Sequence, residues 1–179
     1  MRVRLGLIFG LIYLGIQLLG PKPDIGINIP GLLLIFLGEG LRIRSSGFIV
    51  KNKTLTASGP YAHLRHPLYT GSFLLGLGFI LLLYAHDNPF VCLFLLVPYL
   101  IIFPYVYLHT VKKEEENMKQ IFNEEFIEYQ KNVPLFFPRL KPYKKKGRFH
   151  WQQVIKNHEY NAFFGTIGLL SLYFFRLYS

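Results

Sequence analysis

The residue types best suited to chemistry are concentrated in one segment, residues 59–71. It contains two histidines, two tyrosines and Arg65, with glycine and proline on both sides, and a long apolar run begins at Ser72. Cations, aromatic rings and turn-forming residues at the mouth of an apolar helix are typical of a ligand site. The alternative is a basic loop at a membrane edge, whose histidine and arginine side chains contact lipid phosphates.

A second candidate segment begins with three consecutive carboxylates, Glu114, Glu115 and Glu116. They lie in a charged stretch in which apolar residues recur every three or four positions, at Met118, Phe122, Phe126, Tyr129 and Val133. This spacing predicts an amphipathic helix over residues 112–132, either on the membrane surface or packed over a helix bundle. A solvated structural helix would give the same pattern.

The two segments together suit a zwitterionic ligand. His66, Arg65 or a tyrosine hydroxyl can bind a carboxylate, while Glu115 can bind a ribose diol or an amine. Tyrosine faces also attract a sulfonium or another soft cation. We predict no metal site, because Pro67 prevents a two-histidine helix and Cys92 is the only cysteine.

Composition indicates a membrane protein that forms one domain over residues 1–179. Hydrophobic residues make up 51% of the chain, yet its formal net charge is +10. All Lys and Arg residues except Lys22 and Arg176 fall on one side of the apolar runs, which is the positive-inside pattern. No nucleic-acid-binding module accompanies the positive charge, so we expect membrane lipids as partners and no nucleic acid.

Five apolar runs predict an all-α, polytopic membrane helix bundle. The predicted spans cover residues 5–20, 29–43, 68–84, 90–109 and 161–178. The charge distribution places the N-terminus and the candidate site on the cytoplasmic side and the C-terminus on the opposite side.

Two features lie inside these spans. Glu39 is a carboxylate in the second span, which predicts either a functional group or an ion pair with Arg42 or Arg44 at the helix end. Pro98 and Pro104 are predicted to kink the fourth span.

Both candidate segments resemble one family. Residues 65–71 resemble the Arg-His-Pro-x-Tyr-x-Gly signature of integral-membrane methyltransferases related to isoprenylcysteine carboxyl methyltransferase and phospholipid N-methyltransferases. The pair Glu114-Glu115 and residues 122–134 resemble that family's downstream elements, with two departures. Asn123 stands where the family usually has glycine, and Phe126 stands where it usually has tyrosine. Asparagine tolerates left-handed backbone angles, so the turn can survive.

The resemblance implies S-adenosylmethionine as methyl donor, bound near the cytoplasmic face, and a lipophilic acceptor that arrives from the bilayer. It implies catalytic roles for Arg65 and Glu115. The implied cofactor-binding residues are Tyr61, His63, Arg65, His66, Tyr69, Gly71, Glu114 and Glu115.

Two questions stay open at this point, the acceptor and the function class. The acceptor is either an isoprenylcysteine-like carboxylate or the amine of a phospholipid headgroup. A nicotinamide-dependent membrane reductase and a non-catalytic lipid-binding protein are the alternative function classes.

Overall fold

The structure, a computed structural model, describes residues 2–20, 27–50, 54–83, 89–143 and 147–179, and over these ranges it contains helices and no strand. The all-α prediction is therefore confirmed for the described residues. The helices are α1 (Arg2–Leu19), α2 (Ile29–Ser46), α3 (Pro67–Leu83), α4 (Pro89–Asn132), α5 (Trp151–Lys156) and α6 (Tyr160–Tyr178).

Helices α2 and α3 form an antiparallel pair in close contact through glycines. Gly38 of α2 meets Gly71 of α3, since a Cβ built on Gly71 would lie 2.7 Å from the Gly38 carbonyl oxygen. One heptad away, a Cβ built on Gly78 would lie 2.7 Å from the Gly31 carbonyl oxygen. Small residues let helix backbones approach this closely in membrane proteins.

Four helices share one apolar core. Its fully packed side chains come from α1, α2, α3 and α6, namely Tyr13, Ile35, Phe79, Leu82, Leu83 and Tyr173. At the far end of this core, Arg176 of α6 donates a hydrogen bond to the Gly20 carbonyl oxygen at 2.9 Å. These contacts join the first and last helices of the chain to the α2–α3 pair.

Helix α4 differs from its prediction. A span and a separate amphipathic helix were expected over residues 90–109 and 112–132, but helical structure continues from one into the other. Lysine and glutamate favour helix, so a change in polarity alone does not end one. The non-helical backbone angles lie instead at Asn123, with φ 45° and ψ −122°, and not at Pro98 or Pro104.

The number of membrane spans is confirmed only in part. Within the described residues, Cys92–Asn132 is the one helix that is long and apolar enough to cross a membrane. Ile8–Leu19 and Pro67–Leu83 are apolar but shorter. A helix occupies each of the five predicted span positions.

Candidate functional site

The 59–71 segment begins with a short helical turn, Gly59–Ala62, and leads into α3 at Pro67. Gly59 has φ 59°, and a Cβ there would lie 2.7 Å from the Phe48 ring, so both the backbone angle and the space require glycine. Pro67 is suited to the first helical position because it has no N–H to leave unpaired.

Backbone hydrogen bonds from residues 134–143 hold this segment in place. The Arg65 N–H donates to the Pro134 carbonyl at 2.9 Å, and the Arg139 N–H donates to the His63 carbonyl at 3.0 Å. The Tyr143 N–H donates to the Ala62 carbonyl at 3.0 Å. The segment is thus fixed by residues about 70 to 80 positions later in the chain.

Glu115 lies at the centre of a buried polar network. Its Oε1 atom is 3.0 Å from His66 Nε2 and 2.9 Å from Arg65 Nε, while the Gln130 amide donates to Oε2 at 2.8 Å. The residue is 8% exposed. A buried carboxylate with partners on both oxygens is firmly positioned, because each partner would lose a charge-assisted bond if it moved.

The surroundings of Glu115 also set its protonation. Burial alone would raise the pKa of this carboxyl, but the hydrogen bond from His66 and the positive charge of Arg65 outweigh burial and hold the pKa below its usual value of 4.5. Glu115 is therefore ionised at neutral pH.

Glu114 has different partners from Glu115. It accepts a hydrogen bond from the Tyr69 hydroxyl at 2.8 Å, and its Oε2 atom is 3.9 Å from His66 Nδ1. The Tyr69 ring packs edge-on against Tyr107, with ring centroids 5.0 Å apart. Successive residues on a helix do not point in the same direction, so the two glutamates take separate positions around His66.

A cavity of about 220 Å³ lies between the two segments. Of the predicted site residues, those on its wall are Tyr61, Arg65, His66, Tyr69 and Glu114. Apolar side chains of α4, including Met118, Phe122 and Phe126, also line it, as do residues between α2 and the 59–71 segment such as Ile49 and Leu55. The predicted apolar face of the 112–132 stretch thus packs over the bundle and lines the cavity.

Three predicted site residues are not on this wall. Glu115 lies behind it, because Arg65, His66 and Gln130 occupy its oxygens. The ring of His63 is within 2.8 Å of the Arg139 carbonyl oxygen and so belongs to the backbone contact described above. Gly71 faces α2, where a Cβ would lie 2.6 Å from the Arg42 side chain.

Gln130 is a member of this network that the sequence did not reveal. It is 15 residues from Glu115, a separation that spans about 22 Å in a straight helix. Their 2.8 Å hydrogen bond therefore requires α4 to turn back sharply at Asn123. We call residues 124–132 the return segment. It also brings the Tyr129 hydroxyl within 2.7 Å of the Tyr61 carbonyl oxygen.

The second polar cluster surrounds Arg42, and its pairing differs from the prediction. Arg42 forms an ion pair with Glu159 at 2.5 Å and a hydrogen bond with Ser72. Glu39 instead accepts a hydrogen bond from Thr166 of α6 at 3.2 Å. The partner of Arg42 lies more than 100 residues away in sequence, so helix spacing could not identify it.

Comparison with known proteins gives a family match that covers the 59–71 segment and the first part of the second candidate segment. Residues 40–120 match the sequence model of the isoprenylcysteine carboxyl methyltransferase (ICMT) family. No solved structure matches the chain.

Three curated relatives illustrate the similarity. The chain is 34% identical over 113 residues to the "cobalt-zinc-cadmium resistance protein CzcN" of Cupriavidus metallidurans. This alignment covers 62% of this chain and 47% of that protein. The chain is 33% identical over 130 residues to the protein-S-isoprenylcysteine O-methyltransferases of Homo sapiens and Xenopus laevis, which covers 66% of this chain and 43% of each relative.

The chain thus spans less than half the length of these relatives. The matched region contains the 59–71 segment and the Glu114-Glu115 pair, so the resemblance seen in those motifs is confirmed. Through residues 40–120, the chain is similar to the isoprenylcysteine carboxyl methyltransferase family.

Proposed function

We propose that this protein transfers a methyl group from S-adenosylmethionine to a lipophilic, membrane-embedded acceptor, an isoprenylcysteine-like carboxylate. The observation that carries the proposal is the meeting of the two family motifs around one cavity. His66 and Tyr69 of the first motif contact Glu115 and Glu114 of the second at 3.0 and 2.8 Å.

The cavity wall has side chains suited to each part of S-adenosylmethionine. The Arg65 guanidinium and the His66 ring suit its carboxylate, and the Glu114 carboxylate suits its amine or ribose hydroxyls. The rings of Tyr61 and Tyr69 suit its sulfonium. Met118, Phe122 and Phe126 offer apolar contact to the rest of the molecule.

Glu115 acts in this proposal as a positioning residue, because it holds Arg65 and His66 from behind the wall. Gly71 has the same kind of role, since it sets the contact between α2 and α3. His63 supports the cavity through its contact with Arg139.

Methyl transfer requires little of the protein beyond the orientation of the two reactants. S-adenosylmethionine supplies an activated methyl group: a bond forms between the acceptor oxygen and the methyl carbon, the carbon–sulfur bond breaks, and its electron pair stays on sulfur. A carboxylate acceptor gives up no proton in this step. Arg65, fixed by Glu115 and the Gln130 carbonyl, is suited to orient the acceptor carboxylate or that of the cofactor.

An amine acceptor would need one additional step, the loss of a proton before attack. Glu114 is the carboxylate on the cavity wall and would be the group to accept it. A phospholipid headgroup amine therefore remains the alternative acceptor class, and the product distinguishes the two.

We further propose that the whole chain forms one membrane domain of five spans, with the cavity at the cytoplasmic face. Two observations support this arrangement. Nearly all Lys and Arg residues fall on the cavity side of the apolar helices. On that side, α5 docks against the end of α2, where Asn157 donates to the Ser46 carbonyl at 3.0 Å.

Titration with S-adenosylhomocysteine tests cofactor binding. We expect binding to purified protein, and we expect H66A to weaken it at least tenfold because His66 lines the cavity. H109A is the matched control, since His109 is exposed on α4 and away from the cavity wall. Absence of binding to folded wild-type protein would refute the proposal.

Labelled S-adenosylmethionine with a total lipid extract then identifies the acceptor. A base-labile product indicates a carboxyl ester, as proposed, and a base-stable product indicates an amine. Transfer of hydride from a nicotinamide cofactor without any methyl transfer would favour a reductase instead.

A further inference from the structure

The segment 134–143, called here the hook, carries two large apolar side chains that no other part of the described chain covers. Phe137 is 79% exposed and Leu140 is 95% exposed. The hook is irregular in structure and lies between the end of α4 and α5. Exposed apolar residues close together on a loop indicate a contact surface.

The contacts of Phe136 indicate how deep the hook lies in the membrane. Phe136 packs edge-on against Phe73 of α3 and Tyr107 of α4, with ring centroids 5.6 and 6.0 Å away. Phe73 lies six residues into α3, or about 9 Å along its axis from Pro67. If α3 spans the membrane as proposed above, Phe136 lies below the level at which the helix enters the bilayer.

Phe137 is in ring contact with Phe136 at 5.4 Å and is itself exposed. At this depth an exposed phenylalanine faces lipid, and the transfer of its side chain from water into an apolar environment is favourable.

The charge around the hook matches one kind of lipid. Lys141 follows Leu140 directly and is exposed, as is Arg148. The sequence places three further lysines at 144–146. Basic side chains beside apolar ones at a bilayer surface attract anionic headgroups.

The hook is also connected to the cavity. Its backbone makes the three hydrogen bonds to Ala62, His63 and Arg65 described above. The residues it contacts adjoin Tyr61 and His66, which line the cavity. A force that fixes the hook in the membrane therefore also fixes one wall of the cavity.

We propose that the hook is a membrane-inserted anchor, with Phe137 and Leu140 in the lipid and the adjacent basic residues on anionic phospholipid headgroups. The inference rests on the membrane placement in the proposed function, but not on methyl transfer. A failure of catalysis would leave it intact, and a surface-exposed hook would not refute the methyltransferase.

Fluorescence quenching by spin-labelled lipid tests the insertion. Trp151 is the only tryptophan, so W151F gives a silent background. In that background, F137W is reconstituted in bilayers with doxyl-labelled phosphatidylcholine, and Q120W on the exposed side of α4 is the matched control. We expect at least twofold stronger quenching for F137W. L140W provides a second probe if F137W does not fold.

Quenching of F137W and L140W no stronger than that of Q120W would overturn the proposal. The lipid preference is tested by replacing about one third of the phosphatidylcholine with phosphatidylglycerol. We expect the anionic lipid to increase quenching of F137W, and K141E combined with R148E to reduce that increase. Equal quenching in both bilayers would overturn the anionic part of the proposal.

Discussion

At the scale of single residues, Glu115 determines how the two motifs fit together. It pairs with Arg65 and His66 and accepts a third bond from Gln130, yet it does not line the cavity. Its neighbour Glu114 does line it. The two adjacent carboxylates therefore differ in position: Glu115 holds Arg65 and His66 in place, and Glu114 faces the cavity.

The protonation of Glu115 gives a prediction about pH. A carboxyl whose pKa is lower in the folded state contributes stability that is fully present above its usual value of 4.5. This contribution is lost as the pH falls below that value, because protonation breaks the pairing. We expect the melting temperature of the wild type to decrease as the pH is lowered below 4.5. Thermal unfolding in detergent at a series of pH values measures this.

E115Q is the matching variant. It leaves Arg65 and His66 without their carboxylate, so we expect it to be less stable at neutral pH by about 3–5 kcal/mol and to show a flatter pH profile. E116Q serves as control, since Glu116 is exposed on the same turn. An unchanged pH profile in E115Q would contradict the role assigned to Glu115.

At the scale of helices and turns, the reversal at Asn123 builds the cavity. The backbone angles there, φ 45° and ψ −122°, are close to those of the first central residue of a type II′ turn, which favours glycine. This explains why a glycine is usual at the corresponding position of the family that the motifs resemble. Without the reversal, Gln130 and Tyr129 would not reach Glu115 and Tyr61.

Substitution at Asn123 tests this turn. We expect N123A to destabilise the protein by about 1–2 kcal/mol relative to N123G, because the Cβ of alanine clashes with the backbone at a positive φ and glycine has no Cβ. Q120A, at an exposed position with helical backbone, is expected to have little effect. Thermal unfolding of the three variants measures their order of stability. Equal stability of N123A and N123G would contradict the turn geometry.

The glycine contact between α2 and α3 gives a second prediction at this scale. G71A places a methyl group 2.7 Å from the Gly38 carbonyl oxygen, so the helices must move apart, at a cost of about 1–3 kcal/mol. G40A is the matched control, because a Cβ at Gly40 meets nothing within 4 Å. We expect G40A to stabilise α2 by about 0.5–1 kcal/mol, since alanine favours helix.

A melting temperature of G71A equal to that of wild type would contradict the close approach of the two helices. Both variants can be compared in the same detergent, so that differences in the surrounding amphiphile do not enter.

At the scale of the whole molecule, the proposed five spans place residues 112–132 and Ser179 on opposite sides of the membrane. Cysteine accessibility tests this in a C92S background, which removes the one native thiol. We expect an impermeant maleimide to label K119C from the cytoplasmic side and S179C from the other side. Labelling of both from one side would indicate an even number of spans between them.

Much of the molecule was predictable from sequence because the relevant signals are local. Apolar runs located the helices, and the crowding of Arg65, His66 and Tyr69 before one such run located the cavity. The family motifs were recognisable for the same reason, since each occupies a few consecutive residues.

Only the tertiary structure decided how these parts meet. Sequence did not reveal that Glu114 and not Glu115 lines the cavity, that Arg42 pairs with Glu159, or that α4 turns back at Asn123. Each of these depends on distances between residues far apart in the chain. Helical periodicity fixes which face a side chain takes on its own helix, but packing between helices determines which partner it finds there.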